Sequence, residues 1–203
     1  MVSETLIDSN NTQLTLEGKK IPEDWDFAKA DTSYLTHGLH EYPARMIPQI
    51  ARRLIVRYTK EKDMILDPFC GSGTTLVEAR LANRNAIGND INPFACLLAK
   101  VKSSPLDFEK MRFDPNQFNS CMKEDYAKMK SSGKVPDLPL QIMPNLLHWF
   151  KEQVALDLEF IWEYIQRIDD QDLQDFLKIV FSDTIFKTSN IDHRSSRFIR
   201  ILH

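Results

Sequence analysis

"DPFCGSGTT" at residues 67–75 follows directly on the apolar run "MIL" at residues 64–66. Glycine lets the chain turn sharply, and it lets a ligand approach the backbone without a Cβ in the way. The first N–H groups of a following helix have no partner within that helix and remain available to a polar ligand. This stretch therefore predicts a strand, a tight turn and a helix that together hold a polar ligand.

The pattern continues beyond the turn as helix, strand and helix. Residues 74–82 suit a helix, and residues 86–88 are typical of a second short strand. Asn92-Pro93 predicts a helix cap followed by proline at the first helical position, and apolar residues then recur at helical spacing from 94 to 101. The β-α-β-α order over residues 64–102 predicts two parallel neighbouring strands joined by a right-handed crossover.

The class of ligand follows from what the turn contains and lacks. A phosphate-binding P-loop needs a lysine before its Ser or Thr, and residues 71–75 contain none. A dinucleotide fingerprint needs a third glycine where Leu76 stands. Asp90, at the end of the second strand, is placed to accept hydrogen bonds from ribose hydroxyls. A nucleoside ligand without phosphates remains, and S-adenosylmethionine is the obvious candidate.

The flanking segments predict a division into an N-terminal arm (1–33), a cofactor-binding α/β unit (34–104) and a helical region (105–203). An amphipathic helix is expected over residues 43–58, with Pro48 in its first turn. Residues 105–145, which include Asp114-Pro115-Asn116, indicate an irregular connection around one short helix near 121–129. Apolar positions over 150–165 and 173–185 predict an appended helical hairpin.

Composition narrows the class of protein further. The 203 residues carry a net charge of -3, and no run approaches the ~18 apolar residues of a membrane span. With no secretory signal at the N-terminus, we expect a cytoplasmic protein without a membrane partner. Cys70, Cys96 and Cys121 show no metal-like spacing, so we predict reduced thiols, no metal site and a packing role for Cys70 in the turn.

Three segments together resemble one enzyme family. Residues 67–79 resemble the cofactor-binding motif of DNA amino-methyltransferases, which modify cytosine N4 or adenine N6. Residues 36–45 resemble the segment that precedes this motif and closes over the methionine part of the cofactor, and residues 88–93 resemble the acidic second-strand motif. The resemblance covers residues 34–104, and more weakly the region through 190–200. It implies an α/β fold: a partial Rossmann-like S-adenosylmethionine-dependent methyltransferase fold with an appended α-helical region.

The resemblance also implies roles for single residues. The backbone around Asp67, Phe69, Gly71 and Gly73 would hold the amino-acid part of S-adenosylmethionine, Asp90 would accept from the ribose hydroxyls, and Ile91 would pack on the adenine. The predicted cofactor contacts are His37, Tyr42, Pro43, Asp67, Pro68, Phe69, Cys70, Gly71, Ser72, Gly73, Thr74, Thr75, Asp90, Ile91 and Asn92.

A second motif of this family is missing from the sequence. It is an Asp, Asn or Ser followed by Pro-Pro and an aromatic residue, which stacks the flipped base and holds its amine in line with the methyl group. None of the ten prolines is adjacent to another. We therefore predict no catalytic residue here, and a catalytic motif supplied by a second polypeptide or a missing C-terminal half. Two strands are also fewer than the ~4 to 6 of a usual sheet, and an exposed edge invites pairing.

Three functions are compatible with these sequence features. The first is the S-adenosylmethionine-binding portion or subunit of a site-specific DNA methyltransferase, with cytosine N4 favoured over adenine N6 and DNA as the partner of the complete enzyme. The second is a fragment of an RNA guanine-N2 methyltransferase, because those enzymes carry similar Asp-Pro-x-Cys-Gly turns. The third is a non-catalytic interaction or regulatory protein that retains the fold and forms a homo-oligomer. Lys187 forms a local basic patch with Arg194, Arg197 and Arg200. These three arginines could meet phosphates, although a solvated or partner-facing helix end is the favoured interpretation.

Overall fold

The structure is a computed structural model. It describes residues 25–109, 113–141 and 143–190, and the backbone of Leu6–Ile7 and Gln13–Leu14. The chain divides into two compact units, Met1–Ser103 and Ser104–His203. Of the helices in the described part, none combines the length and the apolar character that a membrane crossing requires.

The first unit combines short strands with helices. Its elements in chain order are β1 (Leu6–Ile7), β2 (Gln13–Leu14), a 3-10 helix (Leu35–Gly38), α1 (Pro48–Tyr58), β3 (Met64–Asp67), α2 (Thr74–Leu81), β4 (Asn85–Gly88) and α3 (Pro93–Ser103). Strands β1 and β2 pair antiparallel. This small pair lies in the predicted N-terminal arm, where the sequence carries no strong periodicity.

Strands β3 and β4 are parallel neighbours, as the sequence predicts. Met64 lies opposite Asn85 and Asp67 lies opposite Gly88, so both strands end at the same edge. Because side chains alternate along a strand, one face carries Ile65 and Ala86. That face packs against a small core of α1 and α2, formed by Ile55, Ala79 and Ala82. The α/β class is confirmed.

The opposite face of this sheet carries three exposed apolar side chains beside the polar Asn85. Met64 is 62% exposed, Leu66 66% and Ile87 54%. We call these three residues the open sheet face. Strands of parallel sheets are normally covered on both faces, so three exposed apolar side chains on one face are unusual.

All regular elements among the described residues of the second unit are helices. They are α4 (Pro115–Ser131), α5 (Leu146–Trp149), α6 (Glu152–Gln166) and α7 (Gln171–Thr188). Helices α6 and α7 pack on each other around a core of buried apolar residues. The members of that core are Leu146, Phe150, Ala155, Leu158, Ile165, Leu173, Leu177 and Phe181.

Two predicted helix starts are wrong, both beside a proline. Pro48 lies in the first turn of α1, as predicted, but the helix begins there and not at residue 43. The reason is that Ile47 adopts the extended conformation (φ -65°, ψ 122°) that is favoured before proline. Asp114-Pro115-Asn116 is not an irregular connection. It starts the 17-residue helix α4, where Asp114 is the N-cap and Pro115 the first helical residue.

The boundary between α5 and α6 also differs from the prediction. The four residues of α5 were not predicted, and Phe150 lies outside α6 in an extended conformation. Lys187 pairs with Asp183 at 2.5 Å. Arg194, Arg197 and Arg200 lie outside the described residues, as does most of the weaker resemblance over 190–200.

Candidate cofactor-binding site

The candidate site lies where β3 and β4 end side by side. Asp67 is the last residue of β3, and the glycine turn leads from it into α2. The turn is fastened to the segment after β4, since the Asn89 N–H donates to the Asp67 carbonyl and the Cys70 N–H donates to the Asn89 carbonyl, each at 2.9 Å. In open α/β sheets, ligands bind outside the carboxyl ends of the strands.

Asp90 connects the glycine turn after β3 with the segment after β4. Its Oδ2 accepts a hydrogen bond from the Gly71 N–H and its Oδ1 accepts one from the Asn92 N–H, both at 2.9 Å. These backbone hydrogen bonds, that of Asn92 first and that of Gly71 second, hold the pKa of the Asp90 carboxyl below its usual value. A carboxylate offers about four acceptor positions, so ionised Asp90 keeps capacity for hydroxyl donors.

The glycines of the turn adopt conformations that other residues avoid. Gly71 has φ 49° and Gly73, the residue before α2, has φ 82°. The Gly73 N–H donates to the Cys70 carbonyl at 2.8 Å, which closes the turn. In the described part of the chain, no side chain caps the N-terminus of α2. Its first N–H groups are therefore left for an acceptor outside the helix.

Two large apolar side chains project from this edge into solvent. Ile91 is 99% exposed and Phe69 is 86% exposed. Phe69 follows β3 and Ile91 follows β4. Apolar side chains at the mouth of a site supply the surface on which a flat aromatic ligand packs.

Tyr42 brings the preceding segment to the same edge. An ideal Cβ on Gly71 would lie 3.7 Å from the Cε1 atom of the Tyr42 ring. The Asn92 side-chain amide donates to the Tyr42 hydroxyl at 3.4 Å. The Asn92 Oδ1 accepts from the Phe94 N–H at 3.0 Å, which caps α3 as predicted. Pro43 follows on the surface.

His37 is placed differently from the other predicted contacts. Its side chain is 1% exposed, and its Nε2 lies 2.7 Å from the Glu78 Oε1. The Tyr34 hydroxyl donates to the same oxygen at 2.5 Å. Arg52 approaches the other carboxylate oxygen, its Nη1 lying 3.5 Å from Oε2. We call Tyr34, His37, Arg52 and Glu78 the Glu78 cluster.

Sequence reasoning did not identify the Glu78 cluster as a unit. Its members lie on three separate elements, the turn into the 3-10 helix, α1 and α2. One local feature of the sequence points to a buried carboxylate. Glu78 lies between the apolar residues Val77 and Ala79, which are both buried. A carboxylate at such a position needs donors from elsewhere in the fold.

The remaining turn residues are enclosed. Cys70, Ser72 and Thr74 are buried, and the Ser72 hydroxyl has no hydrogen-bond partner within the described part. Burial raises the pKa of the Cys70 thiol, and the nearby Cys96, Asp67 and Asp90 raise it further. All three cysteines are free thiols. Among the described residues, no group of three or more His, Cys, Asp or Glu side chains could hold a metal ion.

These residues fit S-adenosylmethionine in chemical type. Asp90 can accept from ribose hydroxyls, Ile91 and Phe69 offer apolar surface for an adenine ring, and the start of α2 offers N–H donors for a carboxylate. Because nothing in the turn provides a lysine for phosphates, the fit is to a nucleoside with an amino-acid tail.

The chain is similar to known methyltransferases, as the fit of the site to S-adenosylmethionine leads us to expect. Residues 7–101 match the model of a family described as DNA methylase. The resemblance to the DNA amino-methyltransferase family is confirmed. The matched region, residues 7–101, contains the glycine turn, Asp90 and the Glu78 cluster.

Three relatives illustrate the match. The chain is 32% identical over 179 residues to Type II methyltransferase M.MvaI of Kocuria varians, covering 86% of this chain and 39% of that protein. It is 42% identical over 95 residues to Type II methyltransferase M.MjaII of Methanocaldococcus jannaschii, covering 44% and 18%. It is also 44% identical over 52 residues to a tRNA (guanine(10)-N2)-dimethyltransferase of the same organism, covering 25% and 15%.

The chain is therefore much shorter than these relatives and spans 39% or less of the length of each. No solved structure matches the chain.

Proposed function

We propose that this chain is the S-adenosylmethionine-binding portion of a site-specific DNA methyltransferase that transfers methyl to an exocyclic amine, with cytosine N4 as the favoured target. The observation that carries the proposal is the position of Asp90, which is hydrogen-bonded to Gly71 and Asn92 beside the exposed Ile91. The fold would be the cofactor-binding part of a Rossmann-like methyltransferase.

Each part of the cofactor has a candidate partner. Asp90 would accept from the ribose hydroxyls, and Ile91 with Phe69 would cover the adenine. The backbone of the glycine turn and the N-terminus of α2 would hold the amino-acid part, and Tyr42 would close over it from the Gly71 side. When bound, S-adenosylmethionine supplies the methyl group. Residues of this chain bind and orient it.

The base-side chemistry would come from another segment or a second polypeptide. No Pro-Pro-aromatic motif is present in the sequence to stack a flipped base and hold its amine. The open sheet face supports the same proposal, because apolar side chains on a parallel sheet are usually covered by further elements of the fold. DNA would bind the assembled enzyme.

Calorimetric titration of S-adenosylmethionine into the purified chain tests the proposal. We expect binding by the wild type and at least tenfold weaker binding by Asp90→Ala, since a charge-assisted acceptor is lost. Asp137→Ala removes an exposed carboxylate of the second unit and serves as the matched control, with unchanged affinity expected. Full binding by Asp90→Ala, or no binding by a folded wild type, would contradict the proposal.

A second candidate function is supported by one finding. The match to a tRNA (guanine(10)-N2)-dimethyltransferase covers 52 residues at 44% identity, so the cofactor turn alone does not select the methyl acceptor. The segment around Tyr42-Pro43 and the Thr74-Thr75-Leu76-Val77 continuation favour DNA by resemblance. Labelled methyl transfer to RNA but not to DNA, by the chain combined with its catalytic portion, would reverse this ranking.

A further inference from the structure

Among the described residues of the matched region 7–101, Glu78 is the most completely buried carboxylate. It is 0% exposed and lies on α2, five residues beyond Gly73 of the glycine turn. Burying a carboxylate is costly unless donors surround it. Here three side chains compensate it, with the Tyr34 hydroxyl at 2.5 Å, the His37 Nε2 at 2.7 Å and the Arg52 Nη1 at 3.5 Å.

Two of these three donors belong to one segment. Tyr34 is the residue before the 3-10 helix, and His37 lies within it. The helix is only four residues long, so side-chain contacts contribute much of its attachment. The hydroxyl of Thr36 donates to the Lys102 carbonyl at 2.8 Å, and Arg45 donates to the His37 carbonyl at 2.5 Å. The start of the segment is therefore held to the helices by polar contacts.

The other end of the same segment reaches the cofactor edge. Only four residues separate His37 from Tyr42, whose ring lies beside Gly71 and whose hydroxyl accepts from Asn92. The Tyr42–Asn92 hydrogen bond, at 3.4 Å, is long. A further contact of this end is the edge-on packing of His40 against Phe94, with ring centroids 5.2 Å apart. The position of Tyr42 therefore also depends on how firmly the start of the segment is anchored.

We propose that Glu78 is a positioning residue that anchors residues 34–42 through Tyr34 and His37 and so keeps Tyr42 over the Gly71 turn. The inference rests on the proposed function, because its consequence is tighter binding of the amino-acid part of S-adenosylmethionine. Glu78 itself has no exposed surface, so it would act on the ligand only through the segment that it anchors. Tyr34, His37 and Arg52 are the titratable or charged groups that face it.

Hydrogen–deuterium exchange of the chain without ligand tests the anchoring directly. In Glu78→Gln we expect the amides of residues 38–42 to exchange at least about tenfold faster, with β3 and β4 unchanged. Tyr34→Phe removes one donor and should give a smaller increase in the same residues. Glu61→Gln, an exposed carboxylate of the same unit, is the matched control and should exchange like the wild type. Unchanged exchange in Glu78→Gln would overturn the proposal.

Titration with two ligands tests the consequence. We expect Glu78→Gln to bind S-adenosylmethionine about tenfold more weakly, while its affinity for 5′-methylthioadenosine, which lacks the amino-acid part, stays at the wild-type value. Equal losses for both ligands would indicate a general structural defect and overturn the positioning role. If the folded wild type binds neither ligand, the proposed function fails, whereas the exchange experiment still decides whether Glu78 anchors the segment.

Discussion

Gly73 and Ala99 bring α2 and α3 into backbone contact, since an ideal Cβ on Gly73 would lie 2.7 Å from both the Cα and the Cβ of Ala99. Gly73 also has φ 82°, which side chains disfavour. We expect Gly73→Ala to lower the free energy of unfolding by about 3 kcal/mol, roughly 1 from the backbone conformation and the rest from overpacking. Urea denaturation followed by circular dichroism measures this loss.

Gly133→Ala separates the cost of the backbone conformation from the cost of overpacking. Gly133 has a similar φ of 70°, but a Cβ there would meet nothing within 4 Å. It should therefore cost only the backbone part, about 1 kcal/mol. Equal losses in the two variants would show that the α2–α3 contact contributes nothing to the effect.

The part of the fold that the sequence predicts well is the part that short-range chemistry determines. The Asn92 cap, Pro93 at the start of α3 and the left-handed glycines all act within a few residues of their own position. The β-α-β-α order and the grouping of Asp90 with the turn followed from these local features. Their geometry was predictable because each is a backbone requirement.

The wrong prediction for residues 114–116 arose because the same local sequence pattern is compatible with two structures, a turn and a helix start. Asp114-Pro115-Asn116 suits a turn as well as a helix start, because in both cases the Asp carboxylate accepts from backbone N–H groups ahead of it. In the structure, Asp114 Oδ1 accepts from Asn116 and Gln117, and Phe118 packs edge-on against Tyr164 of α6. That distant aromatic contact favours the helix, and the local sequence does not contain it.

The Glu78 cluster shows the same limit for the site. Tyr34 is 44 residues from Glu78 along the chain, and His37 is 41 residues away. The family resemblance predicted a cofactor contact for His37. Periodicity and motif spacing report on neighbours along the chain, so they could not assign the buried carboxylate to which His37 bonds.

Thiol reactivity should distinguish Cys70 from the other two cysteines. Cys96 and Cys121 are exposed, whereas Cys70 is buried and burial raises its pKa, which lowers its thiolate fraction. Titration of the native chain with a disulfide reagent at about pH 8 should modify two thiols at least tenfold faster than the third. In Cys70→Ser, the native and the denatured chain should both show two thiols. Three fast thiols in the native wild type would contradict the enclosed turn.

The stability contributed by Glu78 should depend on pH in the acid range. Burial raises its pKa, but hydrogen bonds from His37, Tyr34 and Arg52 outweigh burial and hold the pKa below its usual 4.5. Since the folded-state pKa is the lower one, the stabilisation is present above about pH 4.5 and is lost as the pH falls through the folded-state value.

We therefore expect Glu78→Gln to be less stable than the wild type at neutral pH, by roughly 2 kcal/mol. The two proteins should converge in acid, because protonated Glu and Gln are both neutral. Urea unfolding at a series of pH values measures the difference. A gap that stays constant down to the acid limit would rule out an ionised Glu78 in the folded chain.

The open sheet face should make the chain self-associate when nothing else covers it. Leu66 lies at its centre, and a contiguous apolar surface is a usual site of association. We expect concentration-dependent association in sedimentation velocity, and a shift to monomer in Leu66→Lys. Because Leu66 is 66% exposed, that substitution should change stability by less than about 0.5 kcal/mol.

Val135→Lys is the matched control, since Val135 is 64% exposed but lies in the second unit, outside the open sheet face. It should associate like the wild type.

A companion polypeptide that supplies the catalytic motif would be expected to replace self-association by a defined complex, and Leu66→Lys should weaken that complex too. A wild type that is monomeric at every concentration would contradict this role of the face. A defined homo-oligomer that binds S-adenosylmethionine but gains no activity with any catalytic portion would favour the non-catalytic alternative.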